Sequence, residues 1–351
     1  MSLEVQKAGL LTTVQDLGRY GYQQQGVVVS GAMDAFALRV ANLLVGNAER
    51  AAGLEVTLTG PKLLFRQEGL VAICGGDFAP VVDGVEVPSW QPVWVQEGSV
   101  LELKRAVVGC RAYLAVAGGL AVPEVMGSRS TFLRGGLGGL EGRALREGDV
   151  LPVGEMSTQQ KVRMARLRAQ AGSATGEDGA GGAGSSACAG DAAWAAEPIF
   201  PAAGLLPAYA EHPVVRVTRG REFDWFAESS RERLFQAEFA VSPQSDRMGY
   251  RLQGETLKLS APREMISEAV TMGTVQVPVE GNPIVLMADR QTTGGYPRIA
   301  QVIMVDLPVL AGVRPGAKVR FQEVSLQVAQ AALLQRERDL AQLRVGLALR
   351  R

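Results

Sequence analysis

The chain contains one histidine, His212, and three cysteines, Cys74, Cys110 and Cys188, with no C-x-x-C spacing. Zinc centres draw on several His or Cys ligands, and a Ser or Cys nucleophile is normally activated by a placed imidazole. A disulfide framework, a metal site and His-dependent nucleophilic catalysis are therefore not expected. His212 lies beside a proline in AEHPVV and reads as a surface or boundary residue. No segment reaches the roughly eighteen apolar residues that a membrane span needs. The nearest, YLAVAGGLAV (113–122), is short and carries a Gly pair, and MSLEVQKAGLLTTVQD lacks the basic-then-apolar order of a secretory signal. A cytoplasmic protein with no membrane role is expected. An excess of one charge is missing too: 36 basic residues balance 36 acidic ones. Nothing therefore draws the whole molecule to nucleic acid or anionic lipid. No Gly-Lys dipeptide occurs, which excludes the G-x-x-x-x-G-K-[ST] phosphate loop.

What is present is ordinary globular composition, 47% hydrophobic and 21% charged over 351 residues, enough for two domains. Sixteen of the twenty-one residues 172–192 are Gly, Ala or Ser. Such a segment cannot bury enough apolar area to offset its ordering entropy, and it reads as a flexible linker. Its G-x-G-x-x-G (179–184) has no strand before it and no helix after it, so a dinucleotide reading fails. The preceding STQQKVRMARLRAQ (157–170) predicts a basic helix capped by Ser157 or Thr158, a solvated connector. On both sides the chain is rich in short β-like segments: LEVTLT (54–59), SVLELK (99–104) and RAYLAVA (111–117) before, VVRVT (214–218), IVLMA (284–288) and QVIMVDL (301–307) after. Spacings near ten residues argue for barrels or sandwiches. In MDAFALRVANLLVG, by contrast, Met33, Phe36, Val40, Leu43 and Leu44 recur at helical spacing. In the last helix Leu326, Ala329, Leu333, Leu340 and Leu343 line one stripe, while Arg336, Glu337, Arg338 and Asp339 face water. The expected units are 1–155, a helix and linker at 156–204, 205–323, and a C-terminal helix at 324–351. VSGAMD (29–34) echoes VSPQSD (241–246), which suits two related units.

Two segments after the linker hold more polar groups than a barrel turn needs. SPQSDRMGYRL (242–252) sets Asp246 beside Arg247, with Arg251 four residues on. It is either a solvated loop with an Asp–Arg pair or a lip offering Arg forks to an anion. EGNPIVLMADRQTTGGYPRIAQVI (280–303) runs from an apolar strand into Asp289, Arg290, Gln291, Thr292, Thr293, Gly294, Gly295 and Tyr296, with Arg298 beyond. A hairpin needs two or three polar residues, so the surplus points to an exposed ligand loop at a barrel mouth. The Gly pair would let backbone approach a ligand. Upstream, TTVQDLGRYGYQQQGVVVSGAMD (12–34) is similarly polar and carries Arg19 and Asp34. GGDF (75–78) and GSRST (127–131) read first as structural turns, and GGLGGLEGR (135–143) leaves a non-standard nucleotide contact open.

Together and in order, LLTTVQDLGRYGYQQQGVVVSGAMD, GGDF, GSRST, SDRMGYRL and EGNPIVLMADRQTTGGYPRIAQVI closely resemble the KipA-type family. That family is also called allophanate hydrolase subunit 2, biotin-dependent carboxyltransferase or the C component of 5-oxoprolinase. The resemblance covers roughly residues 3–155 and 205–322. It implies two tandem cyclophilin-like β-barrels, which with the helices above gives a mainly β fold. It also implies a hydrolase subunit, inactive alone, of ATP-dependent 5-oxoprolinase. There it would act with a KipI-like subunit (the B component) and a LamB/YcsF-type subunit (the A component), opening 5-oxoproline to glutamate, with ATP used by the complex. The alternatives are carboxyl transfer from carboxybiotin to urea and a KipI-binding regulatory role. No Met-Lys dipeptide occurs, so biotin would be carried in trans. The motif positions imply Asp246, Arg247, Asp289 and Arg290 as catalytic. The arginines would hold a substrate carboxylate or a transferring phosphoryl or carboxyl group, and the aspartates would contact amide N–H groups. Gln291, Thr292, Thr293, Gly294, Gly295, Tyr296, Arg298, Arg251, Asp34 and Arg19 are expected to bind the small-molecule substrate.

Overall fold

In the strands Ser2–Lys7 and Lys62–Phe65 the inward positions are Leu3, Val5, Leu63 and Phe65, all fully buried. This period-two pattern turns one face of each strand to a core and the other to water. The computed structural model describes residues 2–173 and 192–349; residues 174–191, the bulk of the Gly/Ala/Ser segment with its G-x-G-x-x-G, lie outside them. The N-terminal half contains two six-stranded sheets. One runs Val150–Pro152, Ser2–Lys7, Lys62–Phe65, Val100–Glu102, Val81–Val82, Val85–Glu86. The other runs Trp194–Ala196, Pro92–Val95, Gly69–Asp77, Val108–Val116, Gly53–Thr57, Leu11–Gln15. Their inner faces share a core that includes Leu54, Val56, Ile73, Leu101 and Leu114.

The outer face of the second sheet is covered by helix α1 (Ala35–Leu44), which buries Phe36, Leu38, Val40 and Leu44 against Leu70, Ala72, Tyr113 and Ala115. Strand Val108–Val116 is therefore buried on both faces. In its register with Gly53–Thr57, Tyr113 lies opposite Glu55 on the α1 side, while Leu114 and Leu54 face the core. A one-residue slip would drive Glu55 into that core, so the apolar alternation fixes where this carboxylate sits.

Helix α2 (Thr158–Ser173) differs from the solvated connector expected of it. Met164, Leu167 and Ala171, spaced three and four residues apart, are buried with the α1 layer, and its arginines pair with Glu197 and Glu68. Trp194–Ala196, which composition alone groups with the linker, is an edge strand paired to Pro92–Val95.

The C-terminal half closes a seven-stranded barrel in the order Val214–Arg219, Arg298–Val302, Thr274–Gln276, Ile284–Leu286, Gly249–Gln253, Phe239–Val241, Lys318–Glu323. The parallel pairing of the first and last of these completes the ring. Val215, Val217, Phe239, Tyr250, Val285 and Phe321 fill it, and Met33 of the N-terminal half joins the same cluster. Helices α3 (Glu228–Gln236) and α4 (Leu307–Ala311) pack on the barrel, and α5 (Leu326–Leu349) crosses back to α1. The fold is mainly β with a few helices, as the sequence leads one to expect.

The inward stripe of α5 is shifted from the expected one. Leu340 is fully buried and Leu343 partly so, but Leu326 is 60% exposed. Arg336, one turn before Leu340, lies on the inward face. Its Nη1 donates to Val305 O at 2.7 Å and its guanidinium stacks 4.8 Å from the Phe36 ring centroid. A long aliphatic stem lets an arginine occupy such a position and still keep its head bonded.

Candidate functional site

Between the halves lies a cleft of about 360 Å³, lined by Thr57, Cys110 and Arg111 from one side and by Arg247, Met248, Tyr250 and Asp289 from the other. Its polar wall is organised around Arg247, which is 5% exposed. Nε and Nη2 donate to the Asp289 carboxylate at 2.9 and 3.0 Å, Nη2 donates to Gly31 O at 2.6 Å, and Nη1 donates to Glu55. Glu55 also accepts from Met33 N and from Tyr113 Oη, both at 2.8 Å. Burial pushes the Glu55 carboxyl up, but the Arg247 and Arg111 cations, with those two donors, outweigh it and hold it below the ordinary carboxylate range. Burial also works against the charge of Arg247, and Glu55 and Asp289 more than restore it. Arg111 is held by Tyr250 Oη and by Ala311 O at 2.6 Å, while its Nε stands 3.8 Å from Glu55 without a hydrogen bond.

Two other arginines near Asp289 carry no ion pair among the described residues. Arg19 is fully buried; Nε and Nη2 donate to Val125 O and Ser130 O at 3.2 and 2.8 Å, and Nη1 has no partner among the described residues. Burial lowers its pKa, opposed by the charges of Asp16 and Asp289. Arg290 is half-buried with only long contacts, to Met287 O at 3.3 Å and Val270 O at 3.5 Å. Burial lowers its pKa as well, against Tyr20 and Asp289. The buried hydroxyl of Ser30, a residue held at φ 57, also lacks a partner among the described residues. Unsatisfied buried polar atoms are costly and uncommon, and the free Nη1 of Arg19, whose guanidinium interacts with the charge of Asp289, suits a polar ligand.

The glycine-rich segment after residue 135 has a structural role here. Gly138, at φ +71, lies against Arg19; a Cβ would sit 2.6 Å from its Nη2 and 2.1 Å from Ser130 O. GSRST is clasped by Asp16, whose carboxylate accepts from Gly18 N, Arg129 N and the hydroxyls of Ser128 and Ser130.

The other residues singled out in the sequence are dispersed. Asp246 is exposed at the cleft mouth, where it pairs with Arg134 across the halves at 3.0 Å and accepts from Met248 N and Gly249 N. Arg251 is exposed on the barrel. Thr293 and Gly294 form a small ribbon with Glu268–Ala269, on which Gln291 and Tyr296 are exposed and Thr292 and Gly295 are half-buried. Arg298 is bonded to Glu222 at 2.6 and 2.7 Å and to Glu268 at 2.7 Å. Asp34 caps α1 by accepting from Ala37 N at 2.8 Å, and its second oxygen accepts from Tyr209 Oη at 2.5 Å. Asp289 is itself 4% exposed rather than on an open loop, because Arg247 draws it in. Sequence reasoning misses Glu55, Arg111, Tyr113 and Tyr250. The available signal is a glutamate flanked by Leu54 and Val56 in a strand whose second face is also covered.

The whole arrangement matches known proteins. The family model for the carboxyltransferase domain, subdomain A and B, matches residues 25–323. The chain is 39% identical to a 5-oxoprolinase subunit of Escherichia coli, the C component of that enzyme, over 341 residues, 97% of each chain. It is 38% identical to the corresponding C component from Haemophilus influenzae over 328 residues, 93% of this chain and 92% of that one. The crystal structure of the K. lactis urea amidolyase superposes with a TM-score of 0.83 at 31% identity, covering 97% of this chain but only 20% of that protein. Among the described residues no helix is long and apolar enough to cross a membrane, and no group of ligands suits a metal ion.

Proposed function

Because the chain belongs to the family of carboxyltransferase domains with subdomains A and B, we propose that it is the C component of a 5-oxoprolinase, a hydrolase assembled from several subunits. The observation that carries this reading is the match over 97% of both chains to such a 5-oxoprolinase component, against a fifth of the length of a urea amidolyase. The partners would be a KipI-like subunit and a LamB/YcsF-type subunit. Arg290 and Arg19 do not line the interdomain cleft itself, but both interact with the charge of Asp289 on its wall and supply positive charge beside it for the carboxylate of 5-oxoproline. Asp289, oriented by Arg247, accepts from the lactam N–H. Arg247 acts through Asp289, since four of its five N–H donors are already bonded.

ATP is not assigned to this cleft. The chain has no Gly-Lys phosphate loop, and among the described residues no acidic cluster suits magnesium, so the residues of the cleft do not fit a magnesium-bound nucleotide. The likeness to the K. lactis protein favours one second reading, carboxyl transfer. The cleft pairs apolar lining, with Leu58, Leu133 and Val313, with the polar wall of Arg247 and Asp289, which fits a ring system delivered on a separate carrier. Carboxybiotin, when bound, would supply the carboxyl group; Arg290 would steady its charge and Asp289 would accept an N–H of the acceptor.

Purified chain should be mixed with the two partner subunits and assayed for ATP hydrolysis dependent on 5-oxoproline. Turnover by the mixture and none by the chain alone is the expected result. Urea-dependent carboxylation with a biotinylated carrier, and no response to 5-oxoproline, would replace the first reading by the second.

A further inference from the structure

A second cavity lies away from the interdomain cleft. It has a volume of about 650 Å³ and opens between the end of α1, the start of α2 and the end of α5. Leu43, Val45, Ile199 and Leu347 give it an apolar floor. Four arginines, Arg50, Arg163, Arg166 and Arg344, line it against two carboxylates, Glu49 and Glu197.

Both carboxylates are already neutralised. Glu49 is bonded by Arg39 at 2.7 Å and Arg344 at 3.0 Å, and Glu197 by Arg163 and Arg166, each at 2.5 Å. The carboxylates are shielded, with side chains 20% and 13% exposed, whereas those of Arg344 and Arg166 are 58% and 48% exposed. Arg50 is exposed and has no ion-pair partner among the described residues. A ligand entering the cavity would thus meet guanidinium edges at the rim and aliphatic carbon below. Such edges match a carboxylate in a bidentate way, and the exposed Val162 with the half-buried Leu17 and Leu347 lack contacts that an apolar body would restore. The volume falls within the range of sites for small organic ligands.

We propose that this cavity binds a small organic anion with an apolar body, an acyl or aryl carboxylate, at a site separate from the interdomain cleft. The proposal does not depend on which reaction the cleft serves, because none of the residues invoked lines the cleft.

Isothermal titration of the full chain with decanoate and with 1-naphthoate tests it, with decyltrimethylammonium and decanol as controls below their aggregation limits. Two variants locate the site: Val162→Glu, at a wall position 66% exposed, and Arg50→Glu, which breaks no ion pair among the described residues. The expected result is saturable one-to-one binding of at least one carboxylate, weakened about tenfold or more in each variant, with no saturable binding of the cation. Thermal melts confirm that both variants fold. The proposal is overturned if neither carboxylate binds saturably up to concentrations on the order of 1 mM. Equal binding of the cation or of decanol, or affinity unchanged in both variants, overturns it as well.

Discussion

Arg247 and Asp289 meet through two hydrogen bonds, Nε to Oδ2 at 2.9 Å and Nη2 to Oδ1 at 3.0 Å, with both side chains 6% exposed. Both residues belong to the C-terminal half, yet the other carboxylate on Arg247 is Glu55, from the N-terminal half. The orientation of Asp289 is therefore a property of the docked pair of halves. A site assembled this way is held to a narrow geometry because each member is fixed by a group on the opposite side.

Breaking this triad should cost stability first. Arg247→Ala leaves the buried Asp289 carboxylate without its cation, which typically costs about 3–5 kcal/mol, and Asp289→Ala removes one of the two carboxylates on Arg247, leaving it only Glu55. Glu55→Gln keeps the shape of the side chain but removes the charge, leaving Arg111 with no carboxylate nearby. Chemical denaturation of the purified chain should place all three variants well below the parent. Stabilities within about 0.5 kcal/mol of the parent would mean that the triad is loose in solution.

Arg290→Ala should separate activity from stability. Among the described residues the guanidinium has no ion pair and only long carbonyl contacts, so its loss should change stability by about 1 kcal/mol or less. If Arg290 meets the substrate's anionic group, activity of the assembled complex should fall about 10²-fold or more. Full activity with an intact fold would remove it from the site.

Arg298→Ala should show the opposite pattern. Its partner Glu222 has a side chain only 4% exposed, and its carboxyl is held below its ordinary range, with burial opposed by hydrogen bonds from Arg298. Without Arg298 that buried carboxylate keeps only the exposed Arg221, at 4.0 Å, at a cost of about 3 kcal/mol. Protein that stays folded should keep its rate, measured as turnover per folded molecule.

How far the sequence discloses all this depends on the range of each interaction. The α1 periodicity and the strand alternations are local patterns, and they recur in the structure. Asp289 and Arg247 stand out as surplus polar residues in short loops. Their burial does not, because Glu55 lies far away along the chain and no local pattern pairs it with them. Arg336 shows the same limit at the scale of one helical turn: its charge suggests water, but its position before Leu340 places it inward, where Phe36 and Val305 O receive it. Trp194–Ala196 pairs only because Pro92–Val95 offers an open edge, and composition near a glycine-rich segment cannot register that.

Stability should also depend on pH through Asp34. Burial pushes its carboxyl up from the ordinary value of 3.8 to about 6, against the hydrogen bonds from Tyr209 and Ala37 N. A carboxyl with a raised folded-state pKa binds its proton more tightly in the folded chain, so stability falls as pH rises from about 4 to about 6. That loss corresponds to about 3 kcal/mol, absent below pH 4 and complete above pH 6. Glu55 has the opposite sign: its carboxyl is depressed, so its contribution is present above its ordinary value of 4.5 and is lost as pH falls below it. The two effects overlap in a simple melt, and Asp34→Asn separates them. Asparagine can still accept from Ala37 N and can donate to Tyr209 Oη, but it cannot ionise. The stability of the Asn variant relative to the parent should therefore climb between pH 4 and pH 6.5 by up to about 3 kcal/mol and then level off. A difference that stays flat across that interval would show that Asp34 titrates at its ordinary value, and that its burial beside Tyr209 is relieved in solution.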